Sequence, residues 1–108
     1  MDHADIAARV TPRANVYFGG RCVSHSLQLD DGQRVSVGVI LPGEVLTFRT
    51  AAPERMQGVG GACAWRLQGA AEWQRSGEGD GFDVPGDSAF EIRVEGEPYH
   101  YICRYIAP

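Results

Sequence analysis

The chain has 108 residues, with 14 Asp and Glu against 10 Lys and Arg and a formal net charge of −4, which is enough for one domain with its own core and too little for two. Its basic residues are scattered rather than gathered into a stripe, so neither nucleic acid nor an anionic membrane surface is an expected partner. No span approaches the roughly 20 apolar residues of a membrane helix, and the acids Asp2 and Asp5 open a first segment with no export-signal core; a soluble, cytoplasmic protein is expected.

Gly supplies 14 of the 108 residues, about twice the usual share, and no segment shows ten residues of clean helical periodicity. Many short strands joined by tight turns follow from that. Residues 1–14 read as a mobile lead-in outside the core, because Pro12 breaks any helix begun at Asp5 and Ile6 and Val10 are too few to dock. The domain proper is 15–108. Strands begin at Tyr17-Phe18, Cys22-Val23 and 26–29, and Asp30-Asp31-Gly32 suits a hairpin turn. The return strand alternates most clearly: Val35, Val37, Val39 and Leu41 share one face, Ser36, Gly38 and Ile40 the other, and Pro42-Gly43 ends it.

Alternation resumes over 44–50, with Leu46 and Phe48 on one side. Residues 51–55 are too short for more than a helical turn begun near Pro53, and a loop is expected there. Period two returns over 59–67, with Cys63, Trp65 and Leu67 together, and again over 72–75. A polar glycine loop then leads to Phe82 and Val84, a Pro85-Gly86 turn, and Phe90, Ile92 and Val94, which describe a tight β corner with two apolar stripes facing one interior. The last strand sets Tyr99, Tyr101, Cys103 and Tyr105 against His100, Ile102, Arg104 and Ile106. Eight or nine short strands at near-regular spacing indicate an all-β, closed or sandwich-like barrel. Cys22, Cys63 and Cys103, odd in number and set among apolar neighbours, read as reduced core thiols. The Gly58-Val59-Gly60-Gly61 and Gly77-Glu78-Gly79 runs lack the strand, lysine and helix of a phosphate loop and read as turns.

The run Gly79-Asp80-Gly81-Phe82-Asp83-Val84-Pro85-Gly86-Asp87-Ser88-Ala89-Phe90 resembles the second signature of a cupin barrel, with Phe90 where a metal-binding cupin places histidine. On that resemblance the first signature begins at Gly43 and expects histidines at 49 and 51, an acid near 54 and a glycine at 61; this chain has Arg49, Ala51, Glu54 and Gly61. One surviving carboxylate without its imidazoles does not make a transition-metal site, and His3, His25 and His100 lack ligand spacing, so no metal is expected.

More specifically, Asn15-Val16-Tyr17-Phe18, Ser36-Val37-Gly38-Val39, Pro42-Gly43-Glu44, Phe48-Arg49-Thr50, Pro53-Glu54-Arg55-Met56, Trp73, the 82–90 corner and Tyr101-Ile102-Cys103-Arg104-Tyr105 together resemble the pyrimidine/purine nucleoside phosphorylases, a family of small single-domain cupins. The resemblance spans nearly everything after the lead-in. It implies a jelly-roll-like cupin barrel, a homodimer, and phosphate-dependent cleavage of nucleosides to free base and pentose 1-phosphate, with inorganic phosphate as co-substrate and no cofactor.

For that chemistry, arginine forks and hydroxyls suit a phosphate dianion. Arg104 and Arg49 are the guanidinium candidates, with Thr50 beside Arg49 and Ser36 as a hydroxyl turned into the lumen or outward. Glu54 is the candidate acceptor for sugar hydroxyls, or else an acid at the start of a helical turn. Tyr101, with Tyr99 and Tyr105, offers ring faces on which either class of base stacks, or simply core. The alternative function, of a different class, is a cupin that binds a small ligand without chemistry.

Overall fold

The computed structural model describes residues 5–106; His3 and the rest of the first four residues of the lead-in lie outside the described residues. The described residues form eleven strands: β1 (Ala8–Val10), β2 (Asn15–Tyr17), β3 (Cys22–Leu29), β4 (Arg34–Ile40), β5 (Leu46–Arg49), β6 (Glu54–Gly60), β7 (Ala62–Leu67), β8 (Gln74–Gly77), β9 (Gly81–Val84), β10 (Ala89–Arg93) and β11 (Tyr99–Tyr105). Among the described residues the sole helical element is one 3₁₀ turn at Phe18–Gly20.

Two antiparallel sheets form. The larger runs β1-β3-β4-β11-β6-β9, with β2 also on β3, and the smaller runs β5-β10-β7-β8. Of the closed or sandwich-like forms expected, the structure takes the open, jelly-roll-like sandwich: strand pairing stops at the ends of each sheet, and the sheets meet through side chains. The reason is local. Sharp turns at Gly61 and at the Pro85-Gly86 corner pass the chain from one sheet to the other instead of continuing a ladder across the gap.

The lead-in also differs from its sequence reading, since residues 8–10 pair with Leu29, Gln28 and Leu27 of β3. Backbone pairing needs no apolar side chain, and Val10 remains 55% exposed, so the segment joins the sheet without entering the core. The stretch after Pro53 carries no helical turn. Glu54 opens β6 instead, pairing with Tyr105 on one side and Val84 on the other.

The core lies between the sheets. Phe82 and Val84 from one arm of the corner and Phe90, Ile92 and Val94 from the other are all buried, as their alternation requires. In β4 the inward face is the small one: Ser36 is 3% and Ile40 2% exposed, whereas Leu41 just beyond the strand is 41% exposed. Gly38 belongs to that inward face, and a Cβ there would meet the Tyr101 hydroxyl at 2.7 Å, so the glycine leaves room for the phenol. Cys22, Cys63 and Cys103 are free and buried. Trp73 lies against the Arg66 and Arg93 guanidinium groups, 4.3 and 4.7 Å from its ring centre, and Arg66 also pairs with Glu91 at 2.8 Å.

Candidate active site

One cavity of about 240 Å³ opens between the sheets. β11 sends Tyr101, Cys103 and Tyr105 into it, β4 sends Ser36 and Ile40, β6 sends Glu54 and Met56, and β5 with β10 supplies Phe48, Arg49 and Phe90; Tyr17 and Phe18 stand at its rim. The alternation of β11 is what brings its polar atoms inward. Cys103 aligns with Ser36 on β4 and with Met56 on β6, and Tyr105 aligns with Glu54, so the polar groups of three strands converge.

Their hydrogen bonds form short chains. The Ser36 and Tyr105 hydroxyls lie 3.2 Å apart, the Cys103 thiol donates to Glu54 Oε1 at 3.4 Å, and the Cys22 sulfur lies 3.5 Å from the Tyr101 hydroxyl. Asn15 Nδ2 donates to the hydroxyls of Ser24 and Ser26 at 3.3 and 3.1 Å. Burial pushes the Glu54 carboxyl above its ordinary range, and the Cys103 thiol bond offsets part of that. Burial likewise raises Tyr101, Cys103 and Tyr105, so all three stay protonated and act as hydrogen-bonding groups rather than charges. Glu54 is the carboxylate of this cavity and Arg49 its cation. Arg49 is exposed and has no ion-pair or side-chain hydrogen-bond partner among the described residues, which leaves its fork of donors uncommitted.

Of the residues singled out in the sequence, Glu54, Arg49, Ser36 and Tyr101 meet here. Thr50 is adjacent but occupied: its hydroxyl donates to the Pro85 carbonyl at 2.6 Å and accepts from the Ser88 amide at 3.1 Å, pinning the corner to β5. Arg104 lies on the other face of β11, where its guanidinium donates to Gln57 Oε1 at 2.6 Å and Gln33 Oε1 at 3.2 Å. The period-two pattern had placed Arg104 opposite Tyr101 and Cys103; which face turns inward was decided by packing.

Sequence reasoning gave no site role to Phe18, Phe48 or Ser24, all of which line the cavity. One signal was available for Phe18, a bulky aromatic directly before Gly19-Gly20. In the metal-ligand position, Phe90 is 2% exposed and stacks on Phe48 at 5.5 Å. No cluster of three or more His, Cys, Asp or Glu side chains that could hold a metal ion exists among the described residues.

Two jelly-roll sheets enclosing a cavity lined by hydroxyls, aromatic rings, one carboxyl and one guanidinium give the architecture of a cupin fold. The fold agrees with the cupin domain of an XRE family transcriptional regulator from Enterobacter cloacae, at a TM-score of 0.67 and 18% identity over 82% of this chain and 98% of that one. A protein of unknown function from Acinetobacter sp. ADP1 superposes at a TM-score of 0.88 with 41% identity, over 92% of this chain and 94% of that one. A family model for pyrimidine/purine nucleoside phosphorylase matches residues 12–105, and the chain belongs to that family. The pyrimidine/purine nucleoside phosphorylase of Leptothrix cholodnii is 60% identical over 100 residues, covering 93% of this chain and 95% of that protein.

Proposed function

We propose that the protein is a broad-specificity nucleoside phosphorylase working in this cavity without metal or cofactor. In the reaction a phosphate oxygen forms a bond to the anomeric carbon of the pentose. The bond from that carbon to the base nitrogen breaks, its electron pair leaves with the base, and the base takes up a proton from solvent. The products are the free base and a pentose 1-phosphate.

The observation that carries this reading is the presence, in one cavity of a chain of this family, of an uncommitted guanidinium and a half-buried carboxyl. Arg49 docks the phosphate through its fork of N–H donors. Glu54, in its ionised form, accepts from the sugar hydroxyls and stabilises the positive charge that develops on the sugar as the base departs. Ser36, hydrogen-bonded to Tyr105, and the ring of Tyr101 form part of the walls, which hold nucleophile and sugar in one orientation, where most of the acceleration of such a step arises. Arg104, bonded to two glutamines on the outer face, acts on strand order and not on the reactants.

The same reading includes a homodimer. β1 and β9 end the large sheet and β5 and β8 the small one, leaving backbone edges of the kind that a second copy covers. Light scattering on the purified chain gives its mass directly, and a monomer at micromolar concentration removes this part.

The decisive experiment supplies inosine or uridine with and without inorganic phosphate, in the presence of a chelator. Free base and pentose 1-phosphate are expected only when phosphate is present, and undiminished by the chelator. Ligand-induced melting shifts without product support the ligand-binding alternative instead.

A further inference from the structure

Tyr17 ends β2 in extended backbone, with φ −120° and ψ 151°, and the chain then turns left-handed for three residues in succession: φ is 53° at Phe18, 65° at Gly19 and 100° at Gly20. A Cβ added at either glycine meets nothing within 4 Å, so these glycines serve the hand of the backbone and not a need for space. Phe18 has no such freedom. A bulky side chain at positive φ is a true outlier, and such strain persists where the surroundings over-determine it, often beside ligand clamps.

Burial does not account for it, because Phe18 is 46% exposed and Tyr17 45%. What the turn achieves is position. The Phe18 ring stands nearly perpendicular to Phe48, 82° at 5.3 Å between centres, and Phe48 is backed by Phe90 at 5.5 Å. Tyr17 meets Phe48 edge-on at 6.5 Å, so three rings form an aromatic corner at the cavity mouth while Glu54 and Ser36 lie on the strands within.

We propose that Phe18 is a specificity-determining residue whose ring, with Phe48 and Tyr17, takes the nucleobase by its π face. This rests on the phosphorylase reading above. Stacking reads flatness and not the donor and acceptor pattern of the ring edge, because every base offers a π face. A corner built of rings therefore accepts one-ring and two-ring bases alike, and the backbone strain at Phe18 is the cost of holding that wall half in water.

The test compares wild type with Phe18→Ala, Phe18→Leu, Phe18→Tyr and Phe18→Gly, measuring KM for inosine, for uridine and for phosphate, together with Tm. Loss of one stacking partner weakens binding by about 5- to 150-fold, so Phe18→Ala raises KM for both nucleosides by about tenfold or more and leaves KM for phosphate within about twofold. Tyr restores the wild-type value and Leu does not, and Phe18→Gly melts no lower than wild type because glycine accepts this φ. An unchanged nucleoside KM in Phe18→Ala, an equal rise in phosphate KM, or rescue by Leu overturns the inference while the phosphorylase reading stands. If wild type releases no base with phosphate, that reading fails, and equilibrium binding of free uracil and hypoxanthine decides for Phe18: about fivefold weakening or more in Phe18→Ala upholds it, while equal binding, or none by wild type, sinks it.

Discussion

The interior between the two sheets divides into a filled part and a hollow part, and both draw tyrosines from the same face of β11. In the filled part Tyr99 is fully buried, and Trp65 stacks on Phe82 at 4.1 Å with their planes 8° apart. Burial there pushes the Tyr99 phenol above its ordinary range and the Cys63 thiol up to about 12, so these groups are inert. Two strand residues on, Tyr101 borders the cavity, and Tyr105 at the rim is 40% exposed. One periodic pattern thus serves two ends: where large rings meet from both sheets the space closes, and where Ser36 and Glu54 face the tyrosines it remains open. Polar inward residues are what a solvated site needs and a core avoids.

The sharpest way to test that division is to damage each part separately. Phe82→Ala removes a ring from the filled part and is expected to lower stability by about 3–5 kcal/mol, measured by denaturant unfolding. A loss below 1 kcal/mol means that this part is not the core. In the hollow part Arg49→Ala is expected to lower kcat/KM by about 10²- to 10³-fold, chiefly through phosphate, while the melting temperature is unchanged. Equal loss of stability places Arg49 in the framework instead.

Glu54 sharpens the comparison through pH. Because its folded pKa is raised, an active ionised form is lost as pH falls at a higher pH than an ordinary carboxylate allows, so the acid limb of kcat/KM lies above the usual carboxylate range and disappears in Glu54→Gln. The stability sign runs the other way. A raised carboxyl pKa contributes stability that is present below the unfolded value and lost as pH rises through the folded one. Glu54→Gln therefore melts higher than wild type at neutral pH, and the gap closes in acid; a gap that widens in acid contradicts the raised pKa. The smallest effect belongs to the outer face, where Arg104→Gln leaves kcat/KM within about twofold and costs roughly 1 kcal/mol or less, the worth of its hydrogen bonds to Gln57 and Gln33. A hundredfold loss of activity there means that the wrong face of β11 has been read as the site.

Much of this architecture was written in local alternation. Val84 and Ile92 could be assigned to an interior because period two and a Pro-Gly turn define a corner without reference to anything distant. The lead-in strand at Ala8–Val10 and the strand opening at Glu54 escaped that logic, since each is held by main-chain pairing with a partner remote in sequence. Arg104 stood out by type and by family pattern and Arg49 by type alone, yet it is Arg49 that lines the cavity with Glu54, Ser36 and Tyr101, while Arg104 is bonded to Gln57 and Gln33 on the opposite face of β11.

The sequence by itself determined an all-β chain, the strands around the corner and the thiol character of its cysteines, because these depend on spacing and composition; the family came from the likeness of its motifs to known members. Only the tertiary structure decided that the sheets stay open, that the face of β11 carrying Tyr101 turns inward while Arg104 turns out, and that Phe18 stands at the mouth on left-handed backbone. Alternation gives two equivalent faces to every strand, and which one meets the opposite sheet is chosen by the summed packing of residues far apart in the chain.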